Sequence, residues 1–150
     1  MKLTGEVLNS YKRNVIVDAN SSKALFSVPL DEALKGVRKE DVFIHAVLLT
    51  DKGNSNYTNN YFLVKQKEVN YPKAQLATSV QPIEGGFEVT LSSDNFARAV
   101  FIATGDANSS FSDNYFDILP GSSVKVEVYT ALPLATFEKQ LKVVSLSDEY

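Results

Sequence analysis

The chain contains no cysteine and no tryptophan, and it has one histidine, His45, among its 150 residues. The lack of cysteine excludes a disulfide framework, a thiolate zinc site and a cysteine nucleophile. A single histidine cannot build a usual zinc site either, so we expect His45 to be structural or partly exposed. The composition therefore excludes several classes of enzyme, and it suits either redox compartment.

The sequence also lacks a strong charge of one sign and long apolar runs. The 15 basic and 18 acidic residues are interspersed and give a net charge of −3, so we predict no nucleic-acid partner and no membrane partner. No apolar run approaches the roughly 20 residues that span a bilayer, and Met1–Gly5 lacks the order of a signal peptide. The location stays unknown, with a bacterial periplasm and a bacterial cytoplasm both open.

Short runs of β-branched and aromatic residues, alternating with polar ones, fill most of the chain. This period of two is typical of strands and predicts an all-β fold. One short helix interrupts them, with Asp31 as its N-cap, contacts from Ala33 and Leu34, and Gly36 closing it in the left-handed conformation. The strands predicted in the first part are residues 3–8, 14–17, 23–28, 42–50 and 61–66.

A charged stretch with a proline, residues 66–73, breaks the alternation and is typical of a connection between domains. We place the boundary near Asn70, which gives domains at 1–70 and 71–150. The strands predicted in the second domain are residues 74–80, 86–92, 97–104, 115–119, 123–129 and 139–146.

Two of the later strands have one apolar face and one polar face, as in a two-layer sandwich. Residues 98–103 are apolar on both faces apart from Arg98, as expected of a central strand. The pattern is similar to an immunoglobulin-like (Ig-like) fold, without the cysteine pair and tryptophan of antibody domains. The alternating apolar sets are Phe87, Val89 and Leu91 in one strand and Val124, Val126 and Val128 in the other.

The segment Phe-Ser-Asp-Asn-Tyr-Phe-Asp-Ile-Leu-Pro-Gly, residues 111–121, joins a turn signal to a strand signal. Asp113 and Asn114 can hydrogen-bond their own backbone to shape a tight turn, and Pro120-Gly121 reverses the chain. The segment resembles the last Ig-like domain of β-mannosidases in family 2 of the glycoside hydrolases. Its predicted core residues are Phe116 and Ile118.

Other stretches agree with this resemblance, which covers residues 2–147. Residues 20–31 and 42–48 resemble the Ig-like domain that follows the catalytic barrel in β-mannosidases, and residues 60–73 resemble the passage to the last domain. The resemblance implies two tandem Ig-like β-sandwiches, the non-catalytic C-terminal region of an enzyme that hydrolyses terminal β-mannosides. Its implied role is structural support of the (β/α)₈ barrel of the same parent chain.

The catalytic glutamates of such enzymes lie on that barrel, outside everything that this chain resembles. No catalytic, cofactor-binding or metal-binding residue is therefore assigned, and no cofactor is expected. We interpret four glutamates as charges of solvated strand faces or loops rather than as a glycosidase pair. They are Glu84, Glu88, Glu127 and Glu138.

The resemblance also implies that the first domain is partial, since the family's domain begins a strand earlier than Met1. We expect Met1 to be a cloning start inside that domain. A missing strand would leave an open sheet edge or an apolar strip, which predicts self-association of the truncated chain.

Three other interpretations stay open. Asp106, Asn108, Ser110 and Asp117 are spaced as in a calcium loop, but Phe111 stands where such a loop needs glycine, so an Asx-rich loop is the alternative. A carbohydrate-binding module would need exposed aromatic rings. A stand-alone Ig-like surface or adhesion module would show repeats, and the two halves are not visibly similar. The tyrosines expected at loop or outward-facing positions are Tyr57, Tyr61, Tyr71, Tyr115 and Tyr129.

Overall fold

A computed structural model describes residues 1–49 and 56–148 of the chain. Most of its regular structure is β-strand and its helices are short, which confirms the all-β prediction. The contacts between Cα atoms divide the described residues into two compact units. The first unit holds residues 1–2 and 6–70, and the second holds residues 3–5 and the chain from Tyr71 onward. Among the described residues, no helix has the length and apolarity needed to cross a bilayer.

The first unit is built on one antiparallel hairpin. Its register is regular from Phe43 opposite Phe62 to Leu49 opposite Asn56. The elements of this unit are α1 (Leu30–Leu34), a 3-10 turn (Lys39–Asp41), β1 (Phe43–Leu49), β2 (Asn56–Phe62) and a second 3-10 turn (Gln66–Glu68).

Three strands predicted in the first part are not formed, which corrects the prediction for residues 3–8, 14–17 and 23–28. The first is interrupted by a turn in which Gly5 has a φ of +99° and the Lys2 N–H donates to the Glu6 carbonyl at 2.8 Å. The other two leave apolar side chains in solvent: Ile16 is 87% exposed and Phe26 is 55% exposed. A strand needs a paired neighbour and a covered face, and local propensity supplies neither.

The short helix α1 forms, but its N-cap is Pro29 and not Asp31, which lies inside the first turn. The Asp31 carbonyl accepts a hydrogen bond from the Lys35 N–H at 3.0 Å. Lys35 and Gly36 both have positive φ, at +51° and +79°. The left-handed closure predicted at Gly36 is therefore confirmed, although it begins one residue earlier than predicted.

The second unit contains two sheets and one helix. One sheet has the strand order β3-β4-β8-β6, and the other has the order β7-β5-β9. The elements are β3 (Leu76–Ile83), β4 (Gly86–Ser93), β5 (Ala97–Ala103), β6 (Ser110–Phe111), β7 (Phe116–Ile118), β8 (Ser123–Tyr129), α2 (Leu134–Gln140), β9 (Lys142–Val144) and a 3-10 turn (Leu146–Asp148).

The core of this unit consists of the inward side chains of both sheets. Val89 of β4 lies opposite Val126 of β8, and both are fully buried. The predicted alternation is confirmed, since the polar residues between the core residues face outward. β5 is the middle strand of its sheet, as predicted for a run that is apolar on both faces. The buried set is Ala74, Phe87, Val89, Leu91, Ala97, Val100, Ile102, Ile118, Val126, Val128 and Phe137.

The strand predicted at residues 139–146 is wrong in its first part, because α2 continues to Gln140 and β9 begins at Lys142. The helix follows Pro133, a residue that favours a helix start. Phe137 is fully buried, and its ring stacks on that of Phe87 with 4.4 Å between centroids. Residues 134–140 form a helix because the burial of Phe137 against the sheet stabilises the chain more than the alternating strand pattern does.

The hairpin that joins β3 to β4 requires glycine at Gly86. A Cβ atom on Gly86 would lie 2.0 Å from the Val128 carbonyl oxygen of the neighbouring strand. We expect Gly86→Ala to lower the free energy of unfolding by about 1–3 kcal/mol or more, because backbone atoms must move to admit the methyl group. Chemical denaturation measures this loss.

Gly121→Ala is the matched control. Gly121 has a φ of +71°, but no atom lies within 4 Å of its Cβ position, so this change costs only the left-handed backbone penalty of about 1–2 kcal/mol. Equal losses for the two variants, or a smaller loss for Gly86→Ala, would contradict the steric argument.

Candidate functional site

The segment 111–121, which carries the resemblance to β-mannosidases, has polar side chains that bond mainly to backbone groups. The Asn114 amide bridges both polar groups of Ile102: its Oδ1 accepts from the Ile102 N–H and its Nδ2 donates to the Ile102 carbonyl, each at 2.8 Å. Asp113 accepts from the Asn114 N–H at 2.8 Å, which confirms the predicted turn. The Asn114 side chain therefore bonds the backbone of β5 at Ile102 as a neighbouring strand would.

The carboxylate of Asp117 holds the other end of β5. Its Oδ1 accepts from the Ala99 N–H at 3.1 Å, and its Oδ2 is 2.5 Å from Nη1 of Arg98. Ala99 has a φ of +48° and lies in a register shift between Ala97 and Val100. Asp117 thus satisfies a backbone N–H that the irregular strand directs away from the ladder.

The end of the segment forms the predicted chain reversal. The Ser122 N–H donates to the Leu119 carbonyl at 3.0 Å across Pro120 and Gly121, and Gly121 has the positive φ that such a turn requires. Ile118 is fully buried, and Phe116 packs against the core while partly exposed. The prediction that both enter the core is confirmed.

Tyr115 is the one side chain of this segment with a large exposed apolar surface. It is 68% exposed, has a φ of +61°, and its ring stacks on Phe101 with 4.9 Å between centroids. Val144, 41% exposed, lies opposite Phe101 in the β5–β9 register. These three side chains, Phe101, Tyr115 and Val144, form what we call the Tyr115 patch.

The residues of the calcium-loop interpretation have separate structural roles. Asp106 accepts from the Asn108 N–H at 2.9 Å and from the Thr130 hydroxyl at 3.1 Å, whereas Asp117 pairs with Arg98. These bonds, the Asn108 N–H first, lower the pKa of Asp106. In the part of the chain that the structure describes, no group of three or more His, Asp or Glu side chains could hold a metal ion. The geometry is that of an Asx-rich loop.

The other polar candidates either bond a neighbouring side chain or are exposed to solvent. His45 is half-buried and shares a 2.8 Å hydrogen bond with the Asn60 side chain across the hairpin, which confirms the structural interpretation. Glu88 forms an ion pair with Lys125 at 2.7 Å, and Glu127 accepts from the Tyr129 hydroxyl. Glu84 and Glu138 are exposed, as predicted for loop and surface charges.

The tyrosines of the carbohydrate interpretation do not share one environment. Four of them are at least 43% exposed: two on β2, one just before β7 and one on β8. Tyr71 lies in a loop, as predicted, but it is half-buried there: its ring stacks on Phe96, and its burial raises the pKa of its hydroxyl. Carbohydrate binding stays a prediction. The exposed rings are Tyr57, Tyr61, Tyr115 and Tyr129.

Sequence reasoning missed three features of this site. It treated Asp117 only as a calcium ligand, and it identified neither the irregular backbone at Ala99 nor the bridge from Asn114 to Ile102. The hydrogen bonds concerned join residues 12 and 18 apart in the chain, so no local spacing reveals them. Arg98, a single charged residue in an apolar run, was the one residue of the sequence that pointed to an ion pair at this place.

Two family models match the chain, one after the other. Residues 1–68 match the mannosidase Ig/CBM-like domain, and residues 71–149 match an Ig-fold domain, that of the Ig_mannosidase family. The chain belongs to the Ig-like domain families of mannosidases. The resemblance inferred from residues 111–121 is thereby confirmed, and so are the tandem Ig-like domains of the fold prediction.

Part of a solved β-D-mannosidase from Dictyoglomus thermophilum has the same fold as this chain. It matches with a TM-score of 0.63 and 24% identity over 76% of this chain, and the match spans 14% of the enzyme's own length. None of the curated proteins compared with the chain matches it. The family is therefore established by the two domain models, and the solved structure supports the fold.

Replacing Asn114 by Asp tests the backbone bridge. The variant keeps an acceptor for the Ile102 N–H but sets a second oxygen against the Ile102 carbonyl, so we expect a loss of about 2–3 kcal/mol in unfolding free energy. Asp113→Asn is the control, since its side-chain oxygen still accepts from the Asn114 N–H, and it should cost under about 0.5 kcal/mol. Similar losses for both would show that the bridge is unimportant.

The Asp106 loop should loosen in acid. The folded pKa of Asp106 is lowered, so its stabilising bonds are fully present above about pH 4 and are lost as the pH falls through the lower, folded value. An NMR titration of the carboxyl carbon should place its midpoint below the usual range for aspartate, with the Asn108 amide shifting in parallel. Thr130→Val should move that midpoint upward, and an ordinary midpoint in the unaltered chain would contradict the assignment.

Proposed function

We propose that the chain is the non-catalytic C-terminal region of a β-mannosidase-like glycoside hydrolase, and that it supports the catalytic (β/α)₈ barrel of that enzyme. The observation that carries the proposal is that two mannosidase domain models match in succession, over residues 1–68 and 71–149. We assign the two domains to residues 1–70 and 71–150. The parent enzyme would act on terminal β-mannosides.

Two described carboxylates, Asp41 and Asp106, have pKa values shifted in the direction opposite to that of a general acid. A glycosidase needs a general acid with a raised pKa beside a second carboxylate. Hydrogen bonds from the Asn108 N–H and the Thr130 hydroxyl lower the pKa of Asp106. Hydrogen bonds from Asn70 and Arg38 lower the pKa of Asp41. Both shifts favour the charged form, which cannot donate a proton. These two carboxylates act as acceptors for the local backbone and side chains.

The Tyr115 patch supports a role in contact with another domain. Its three side chains are contiguous, and Tyr115 is fixed by the stack on Phe101 and by the hydrogen bond from its own N–H to the Asn114 side chain at 3.1 Å. An ordered apolar surface loses little conformational entropy when another domain covers it. We therefore infer that the Tyr115 patch is the part of the second domain that contacts the barrel.

The test has two parts. The isolated chain, incubated at high concentration with a nitrophenyl β-mannoside, should release no nitrophenol above the buffer rate. In a polypeptide that also carries the barrel, Tyr115→Ser should shorten the half-life of activity at elevated temperature several-fold and leave kcat/KM at 25 °C unchanged. The reason is that the change removes a supporting contact and no group of the catalytic site.

Tyr57→Ser is the matched control, since Tyr57 is 62% exposed but belongs to the first unit. It should leave the half-life unchanged. Nitrophenol release in proportion to the isolated chain would overturn the non-catalytic assignment, and equal half-lives for Tyr115→Ser and the unaltered enzyme would overturn the supporting contact.

A further inference from the structure

The two faces of the β1–β2 hairpin differ in their aromatic residues. Alternate residues of a strand lie on the same face, and residues directly opposite each other in the ladder share that face. Phe43 is buried on one face, where its ring stacks on that of Phe62 with 6.1 Å between centroids. The other face, which we call the tyrosine face, carries two tyrosines of β2. Its residues are Tyr57, Asn59 and Tyr61 on β2 and, opposite them, Leu48, Ala46 and Ile44 on β1.

The two tyrosine rings of this face are uncovered. Tyr57 is 62% exposed and Tyr61 is 60% exposed, and neither ring stacks on another ring among the described residues. A strand rises about 3.3 Å per residue, so the Cα atoms of these two tyrosines are about 13 Å apart. The regular register, which has no bulge, keeps them in one row. A tyrosine side chain has few rotatable bonds, so it loses little conformational entropy when a ligand stacks on it.

Asn59 lies between the two tyrosines. Its side chain is exposed, and its amide bonds to no other group in the described part of the chain. The residue opposite is Ala46, whose small side chain leaves the amide accessible. A surface depression of about 250 Å³ adjoins it, and the lining residues that belong to the tyrosine face are Ala46, Leu48, Tyr57 and Asn59. The face therefore combines two apolar rings with a free amide donor and acceptor.

The exposure of the tyrosine face does not depend on what pairs with the edges of the hairpin. A strand added beside β1 or β2 extends the sheet in its own plane, since neighbouring strands lie side by side in the direction of the hydrogen bonds. The side chains of the face stand perpendicular to that plane. Further strands would therefore widen the face and leave its tyrosines uncovered.

We propose that the tyrosine face binds a neutral oligosaccharide. Tyr57 and Tyr61 stack on two of its pyranose rings, and the Asn59 amide bonds to hydroxyl groups between them. A pyranose ring has an apolar C–H face and a polar rim, which match a flat aromatic ring with a polar neighbour. Residues 43–49 and 56–62 contain no Lys, Arg, Asp or Glu, so the hairpin offers no charge that would select an ionic ligand.

The polar groups of the face favour a sugar over a protein surface. The Asn59 amide and the hydroxyls of Tyr57 and Tyr61 have no hydrogen-bond partner among the described residues. A protein that covered them would have to supply a fixed partner for each, because a buried polar group left unpaired costs about 1–3 kcal/mol. Sugar hydroxyls rotate and both donate and accept, so they pair with either kind of group. Because the tyrosines are about 13 Å apart, one sugar ring cannot contact both, and the ligand is a chain of several rings.

This inference does not rest on the proposed support of a barrel, which involves the Tyr115 patch of the second unit. Sugar binding is measured on the chain alone, so its failure leaves that proposal untouched. One variant separates the two proposals: Tyr57→Ser should weaken oligosaccharide binding, whereas the half-life of the parent enzyme's activity stays unchanged.

An NMR titration of the unaltered chain locates the site without any substitution. The probes are β-1,4-linked mannohexaose, cellohexaose and mannose. The backbone amides of Tyr57, Asn59 and Tyr61 should shift saturably with at least one of the two hexasaccharides. The dissociation constant of that hexasaccharide should be at least about tenfold below that of mannose, because two rings are engaged at once.

Substitutions of the tyrosines test the stacking. Tyr57→Ser and Tyr61→Ser each remove one ring and should raise the dissociation constant of the hexasaccharide by about 3-fold to 30-fold. Tyr57→Phe is the matched control, because it keeps the ring, and its dissociation constant should stay within about threefold of that of the unaltered chain. Tyr129→Ser changes an exposed tyrosine of the second unit and should leave the dissociation constant unchanged. An unchanged amide spectrum away from the site shows that each variant is folded.

Several results would overturn the proposal. They are the absence of a saturable shift with either hexasaccharide at millimolar concentration, shifts centred on residues outside the hairpin, equal dissociation constants for mannose and the hexasaccharide, and a Tyr57→Phe variant that binds as weakly as Tyr57→Ser. Sedimentation of the same variants tests a protein partner. A self-association that Tyr57→Ser abolishes, in a chain that binds neither hexasaccharide, would overturn the proposal and assign the tyrosine face to a second copy.

Discussion

The bulge in β5 is the constraint on which the second unit depends. Ala97, Val100 and Ile102 are all fully buried, although a regular strand would place Ala97 and Val100 on opposite faces. The register shift between those two residues brings both into the core. The shift leaves the Ala99 N–H without a ladder partner, and the Asp117 carboxylate accepts it. The packing of β5 between β7 and β9 therefore depends on an interaction between a side chain and the backbone.

Asn114 extends the same principle along β5. The β5–β7 ladder pairs Ala97 with Ile118 and Val100 with Phe116, and the Asn114 amide continues it at Ile102. A side-chain amide carries an acceptor oxygen and an NH2 donor group, so it can bond both backbone groups of one residue. The Asp and Asn side chains of residues 111–121 thus bond to backbone groups of their own turn and of β5. Their polar groups complete a sheet.

Sequence patterns predicted best those elements whose burial follows a single period. The strand predicted at 123–129 matches β8 at both ends, and that at 86–92 ends one residue short of β4. The turn at Asp113 and Asn114 was also predictable, because those bonds are local. The bridges from Asn114 to Ile102 and from Asp117 to Ala99 were not, since they depend on contacts distant in the chain. Periodicity likewise cannot show whether residues 14–17 and 23–28 have a neighbouring strand to pair with, and none is found among the residues that the structure describes.

β1 and β5 show how much the surroundings of a strand matter. Apart from His45 in β1 and Arg98 in β5, the two strands are apolar on both faces, a pattern typical of central strands. β5 has a strand on each side, and its inward residues are covered by the opposite sheet. Among the described residues, β1 has β2 on one side and Met1 and Lys2 at its first residues on the other. Two strands of the same apolar composition therefore differ in burial because they differ in their described neighbours, and those neighbours are not given by the local pattern of the sequence.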